Sequence, residues 1–152
     1  NNSGDGTFTD VSSISGAADW GIGRGVAYAD FNGDGCLDLY LTNMGRSAQD
    51  GEQARLFQNS CTWANNWLTI KTVGTDSNRD GIGARIKLTA GGNTQIREVA
   101  AGSSNKSQNM LPVHFGLGKS EIVDSIQIHW PSGKLQTLSN VAPNQVLIIT
   151  EP

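Results

Sequence analysis

Ala84, Ile86 and Leu88 alternate with Arg85, Lys87 and Thr89, and Ile126, Ile128 and Trp130 alternate with Ser125, Gln127 and His129. A repeat of two sends apolar side chains to one face and polar ones to the other, the pattern of a strand with one face on a core. Further short segments at 67–73, 94–100, 114–115, 136–138 and 145–150 read as strands, separated by Gly91-Gly92, Ser132-Gly133 and Pro143-Asn144 turns. Nothing sustains an apolar face at helical spacing for three turns. Charged residues make up 16% of the chain, below the usual ~25%, as many short strands joined by tight turns would produce. The expected class is all-β, with a C-terminal β-sandwich (jelly-roll-like or Ig-like) or a partly closed barrel.

The chain has 152 residues, enough for one ordinary domain or one and a part. No apolar run reaches the length of a membrane span. With a formal net charge of −3, the chain offers no basic field for nucleic acid. It opens Asn-Asn-Ser-Gly-Asp-Gly without a visible signal peptide, so it is expected to begin after processing or inside a longer protein. Composition divides it into a glycine- and turn-rich segment, 1–62, and a regular strand-rich segment, 63–152. In the first, 7–11, 26–29, 37–41 and 54–58 are the strand candidates.

One loop carries specific chemistry. Residues 30–38 read Asp-Phe-Asn-Gly-Asp-Gly-Cys-Leu-Asp. Asp30, Asn32 and Asp34 would present side-chain oxygens to a hard cation, with Ca²⁺ the expected ion, while Cys36 would offer its backbone carbonyl. Gly35 permits the turn that converges them. An EF-hand closes with Glu at position 12, but Leu41 stands there, so Asp38 is the expected closing ligand, in a loop between two strands. The bland alternative is an Asx-rich hairpin turn, since Asn-Gly and Asp-Gly are strong turn formers. Asp76, Asn78 and Asp80 repeat part of the pattern. Ala84 takes their ninth position and Arg79 interrupts them, so a structural or ligand-facing loop is the stronger reading there. Cys36 and Cys61 are the only cysteines; a disulfide and two partly buried thiols both remain open.

Catalytic signals are weak. His129 alternates outward, and His114 beside Phe115-Gly116-Leu117-Gly118 reads as buried and orienting backbone. Arg97 and Glu98 read as a sheet-edge ion pair. Ser103, Asn105, Gln108 and Asn109 lie in a polar loop that could meet a sugar or peptide, as could Trp20 and Trp63, although domain packing suits both tryptophans at least as well. A serine nucleophile in that loop would need a base and an acid from elsewhere. Trp130 reads as core, and Trp67 as core or edge.

The residues also carry a resemblance. The run from Gly25 to Tyr40, with its Asp30-Phe31-Asn32-Gly33-Asp34-Gly35 centre, resembles a calcium-binding FG-GAP/VCBS repeat of integrin-type β-propellers. The remainder resembles the ASPIC/UnbV domain through Asn66-Trp67-Leu68-Thr69-Ile70-Lys71, Ser77-Asn78-Arg79-Asp80-Gly81-Ile82-Gly83-Ala84, Gln95-Ile96-Arg97-Glu98-Val99, His114-Phe115-Gly116-Leu117-Gly118 and Trp130-Pro131-Ser132-Gly133. The resemblance implies calcium ligation at Asp30, Asn32, Asp34, Cys36 and Asp38, on a β-hairpin of propeller-repeat type at 1–62, ahead of an ASPIC/UnbV-like domain at 63–152. A propeller needs at least four blades, so the chain is expected to be the C-terminal piece of a larger protein, or to fold its first segment as a cap. Family members are mostly secreted or at the cell surface, which favours an oxidised Cys36–Cys61 pair. The implied function is a non-catalytic, calcium-stabilised module for adhesion or ligand binding, with an extracellular glycan or protein as partner. The alternative is a Ca-dependent hydrolase or an accessory domain of a secreted enzyme.

Overall fold

A computed structural model describes residues 1–45, 53–62 and 64–152. In chain order the elements are α1 (Ser12–Ser15), β1 (Gly23–Ala29), β2 (Asp38–Asn43), β3 (Arg55–Phe57), β4 (Asn66–Val73), β5 (Arg85–Ala90), β6 (Asn93–Glu98), β7 (Val113–Gly118), β8 (Val123–His129), β9 (Leu135–Val141) and β10 (Gln145–Thr150). They form three sheets, ordered β1-β2-β3, β10-β4-β7 and β6-β5-β8-β9. The architecture is all-β, with antiparallel pairing throughout except for the parallel pair β10–β4.

The alternating segments become the strands they predict. Ile86 pairs with Ile128 and Leu88 with Ile126 across β5 and β8, so the apolar sets of both strands share a face. Those four side chains are fully buried, together with Leu68 and Ile70 of β4 and Phe115 of β7. Sheets β10-β4-β7 and β6-β5-β8-β9 thus contribute to one core cluster, to which Ile149 of β10 also belongs. Burying a side chain such as Phe115 or Leu68 contributes about 1.5–3 kcal/mol. Trp130 lies in this core, as expected, and its indole N–H donates to Gln136 Oε1 at 3.0 Å.

Two details depart from the sequence reading. Residues 7–11 form no strand: Phe8 makes one isolated bridge to Asn2 and stays 75% exposed. The carboxylates of Asp5 and Asp10 take the backbone N–H groups of Thr7 and Ser12, both at 2.9 Å, and so compete with a ladder. Arg97 and Glu98 form no ion pair, because adjacent strand residues point to opposite faces. Arg97 instead donates to the His114 carbonyl at 3.2 Å, while Gln95 donates to the Gly116 carbonyl at 2.7 Å. These two side chains of β6 cover the free edge of β7, and the guanidinium also lies 5.7 Å from the Phe115 ring centroid.

Candidate metal centre and ligand groove

The Asx-rich loop is the connection between β1 and β2, between two strands as the sequence predicts. Asp30 organises it: Oδ1 accepts from the backbone N–H of Gly33 at 2.8 Å and Asp34 at 3.1 Å, and Oδ2 accepts from Gly35 at 3.0 Å. Asn32 donates from Nδ2 to Asp34 Oδ2 at 2.7 Å, and Asp34 Oδ1 accepts from the Cys36 N–H at 2.9 Å. Asp38 is 2% exposed and accepts from Phe31 N at 3.1 Å and Asn59 N at 2.7 Å, tying the loop to the chain after β3. Gly35 is held at φ +88, and a Cβ there would meet Trp67 Cε2 at 2.0 Å, so the loop can rest on the indole only with glycine at this position.

The oxygen donors of this loop are of the type Ca²⁺ takes, although the structure does not draw Asp30, Asp34 and Asp38 together as one ligand cluster. Asp30, Asp34 and Asp38 crowd three carboxylates into nine residues, and the ion pairs among the described residues involve other acids: Asp19, Asp80 and Asp76. Each carboxylate oxygen has two lone pairs: Asp30 Oδ1 spends both on the Gly33 and Asp34 N–H groups, while Asp30 Oδ2 and each Asp38 oxygen accept one N–H and keep capacity for a cation. Cys36 and Cys61 form a disulfide with Cα atoms 6.0 Å apart, closing a separation of 25 residues around β2 and β3. Potential ligand atoms of Asp34, Cys36 and Cys61 lie within 4.8 Å of one another.

The second acidic loop serves a different partner. Asp76 pairs with Lys134 at 2.6 Å, Asp80 with Arg79 at 3.1 Å, and Asn78 is held by the backbone of Ile82 at both ends of its amide. The backbone N–H groups of Thr75, Asp76 and Ser77 converge on one Glu151 carboxylate oxygen at 2.8, 2.9 and 2.7 Å. The Ser77 and Ser132 hydroxyls donate to the other oxygen. Burial pushes the Glu151 carboxyl up, but the hydrogen bonds from Ser132, Ser77 and Thr75 prevail and hold it down at about 2. Nothing in the local sequence marks Glu151, because its partners lie 19 and 74–76 positions away.

The polar loop at 103–109 lies along β1. Ser107 Oγ donates to Val26 O at 2.8 Å, Tyr28 N donates to Asn109 Oδ1 at 3.0 Å, and Met110 N donates to Tyr28 O at 3.0 Å. Asn109 also donates to Ser103 Oγ at 2.8 Å, and the Asn105 carbonyl passes so close that a Cβ on Gly25 would meet it at 3.2 Å. This strap occupies an edge of the first sheet, and Gln108 and Asn109 then face a groove of about 430 Å³. Tyr28, Phe31, Tyr40, Leu56 and Met110 line the same groove, with Asp38 at its wall. Of the other expected site residues, Trp20 is 93% exposed, away from this groove, and Trp63 lies outside the described residues. Trp67 stacks on His114 with centroids 6.1 Å apart, which resolves its position as the platform under the Asx loop. His114 Nδ1 meets Thr69 Oγ1 at 3.1 Å, and burial lowers its pKa below the ordinary value. His129 is exposed, as its alternation predicts.

Fold and site together define an all-β module in which an Asx-rich hairpin loop, fastened by a disulfide, rests on the edge of a larger apolar core. Residues 74–152 match the family described as ASPIC and UnbV, and residues 1–41 match the FG-GAP-like repeat. The chain belongs to the ASPIC/UnbV family. It is 35% identical to cartilage acidic protein 1 of Xenopus tropicalis and 32% identical to that of Mus musculus, each over 135 residues. The human protein of that name is 33% identical over 132 residues. These alignments cover 86–87% of the chain but only 19–20% of each relative, so the chain spans about one fifth of their length.

Proposed function

We propose that this chain is a non-catalytic, calcium-stabilised extracellular β-module that binds a ligand for adhesion, with a glycan as the ligand class its groove favours. The observation that carries the reading is the groove beside the Asx loop: Phe31 and Asp38 belong to both, so ordering the loop orders one wall of the groove. Tyr28, Phe31 and Tyr40 supply the flat apolar surfaces on which sugar rings stack, while Gln108 supplies an amide group at the rim. Ca²⁺ would be held by Asp30, Asn32, Asp34 and Asp38 and the Cys36 carbonyl, neutralising carboxylates that otherwise repel one another. Its binding free energy would add to folding.

In this reading residues 1–62 are a propeller-repeat hairpin segment, and 63–152 are a β-sandwich domain built on the shared core. The named kinship with cartilage acidic protein 1 and the Cys36–Cys61 disulfide support a secreted or cell-surface location, since disulfides persist in oxidising compartments. Calorimetry on the oxidised chain tests the metal: one Ca²⁺ should bind, and chelator should lower the melting temperature. A glycan array tests the ligand, with Tyr40→Ala expected to abolish any hit. No calcium heat and no chelator effect would remove the metal from the reading, and a blank array would remove the glycan.

A further inference from the structure

The disulfide corner of the Asx loop contains a second metal chemistry that the oxidised chain does not express. Cys61 Sγ lies 3.6 Å from Asp34 Oδ1, and ligand atoms of Asp34, Cys36 and Cys61 are mutually within 4.8 Å. Asp34 is exposed, and both cysteines are only half-buried. They face a cleft of about 690 Å³ whose walls include Asn59, Asn65, Trp67 and His114. While the sulfurs are bonded to each other they carry no negative charge and are poor ligands, since the thiolate is the metal-binding form of cysteine.

We propose that reduction of Cys36–Cys61 converts this corner into a thiolate site for a borderline-soft divalent cation such as Zn²⁺, bound by Asp34, Cys36 and Cys61. The step balances simply. A phosphine reductant plus water delivers two electrons and two protons, becoming a phosphine oxide, and the S–S bond becomes two thiols. The cation then displaces both thiol protons to solvent and binds two thiolates and one carboxylate. Two sulfurs and one oxygen make three protein ligands, and the open cleft leaves the fourth tetrahedral position to water. Soft sulfur donors select zinc over calcium, whereas the oxygen donors of the same loop select calcium. Because Asp34 serves in both sets, zinc held by the reduced site competes with calcium for this carboxylate.

Three features favour a built site over a chance pair of thiols. Asp38 ties the loop to Asn59, two residues before Cys61, a link independent of the S–S bond that limits how far the two cysteines separate on reduction. Asn59 Oδ1 also accepts from the Cys61 N–H at 3.3 Å. Gly35 seated on Trp67 fixes the backbone between Asp34 and Cys36.

The test uses the full chain, reduced anaerobically with a phosphine, against the untreated oxidised chain. Zn²⁺ affinity is read by competition with a chromophoric chelator, and Co²⁺ reports thiolate ligation through its sulfur-to-metal charge-transfer absorption. The reduced chain should bind one equivalent with that absorption, and the oxidised chain none. Asp34→Ala should weaken the reduced site at least roughly tenfold, since even outer-shell partners of a metal site carry 10–100-fold effects. Zn²⁺ should also slow alkylation of both cysteines, and a chelator should restore it, which reads the site even if a variant is unstable. Equal affinity in reduced and oxidised chains, an unchanged affinity in Asp34→Ala, or equally tight binding by the urea-unfolded reduced chain would each overturn the proposal. The calcium reading is tested on the oxidised chain, so the two can fail separately.

Discussion

Replacing both cysteines, Cys36→Ser with Cys61→Ser, isolates what the covalent tie contributes to holding the first sheet together. The bond closes a separation of 25 residues, for which the chain-entropy relation gives a stabilisation of about 3.5 kcal/mol. That loop contains β2 and β3, whose side chains Tyr40 and Leu56 are each 48% exposed, so burial there offers little to replace the lost constraint. For a chain of this length 1 kcal/mol moves the melting temperature by roughly 2–4 °C, so the double variant should melt about 7–14 °C lower. Urea unfolding at fixed pH and saturating calcium, followed by circular dichroism and by the emission of Trp67 with Trp20, Trp63 and Trp130 replaced by Phe in both chains, measures the loss directly. Trp67 reports the contact between loop and larger core, because it lies under Gly35, while the far-ultraviolet signal reports all three sheets. If the first sheet is secured by the bond, the variant should lose the Trp67 signal at lower urea than the bulk β signal. A destabilisation below about 1 kcal/mol, with both probes still coincident, would refute the reasoning. The Asp38–Asn59 tie and the 103–110 strap would then be sufficient by themselves.

Three other perturbations probe separate joints. Gly35→Ala places a methyl group 2.0 Å from the Trp67 ring at a left-handed backbone position. It should cost at least the roughly 1–3 kcal/mol typical of overpacking, read as a lower urea midpoint. Glu151, held at about 2 against an ordinary value of 4.5, makes a contribution that is complete above pH 4.5 and is lost as the pH falls toward 2. The urea midpoint should therefore fall across that window in the native chain, and Glu151→Gln should flatten the slope. Asn109→Ala removes the acceptor for Tyr28 N and the donor to Ser103. Limited proteolysis should then cut within 101–110 faster, while the core strands keep their amide-exchange protection; unchanged cleavage would mean the strap does not depend on Asn109.

Much of the fold was legible because it is written in local alternation. Ile86, Leu88, Ile126 and Ile128 declare their faces within a few residues of themselves, and the structure buries all four. The Asx loop was equally legible, since Asp30, Gly33 and Gly35 act on one another across five positions. Pairings between distant segments were not. The parallel partnership of β4 with β10 joins residues 77 positions apart, from Leu68 to Gln145, and strand sequence carries no mark of its partner's direction. The 103–109 loop had the composition of a ligand-binding surface, yet its Ser107 and Asn109 spend their hydrogen bonds on β1, 81 residues away. Asp76, Asn78 and Asp80 read more strongly as a structural or ligand-facing loop than as a cation site, but nothing local showed that the backbone of this loop receives the Glu151 anion.

By itself the sequence determined which segments extend, which faces are apolar and where a tight Asx-rich loop joins two strands. Those properties depend on side-chain spacing along one stretch of chain. Only the tertiary structure decided that Trp67 supports the Asx loop, that Phe31 and Tyr40 wall a groove with Gln108, and that two sulfurs meet Asp34. These are contacts between segments brought together by burial of a common core, and their identity depends on where the chain returns in space.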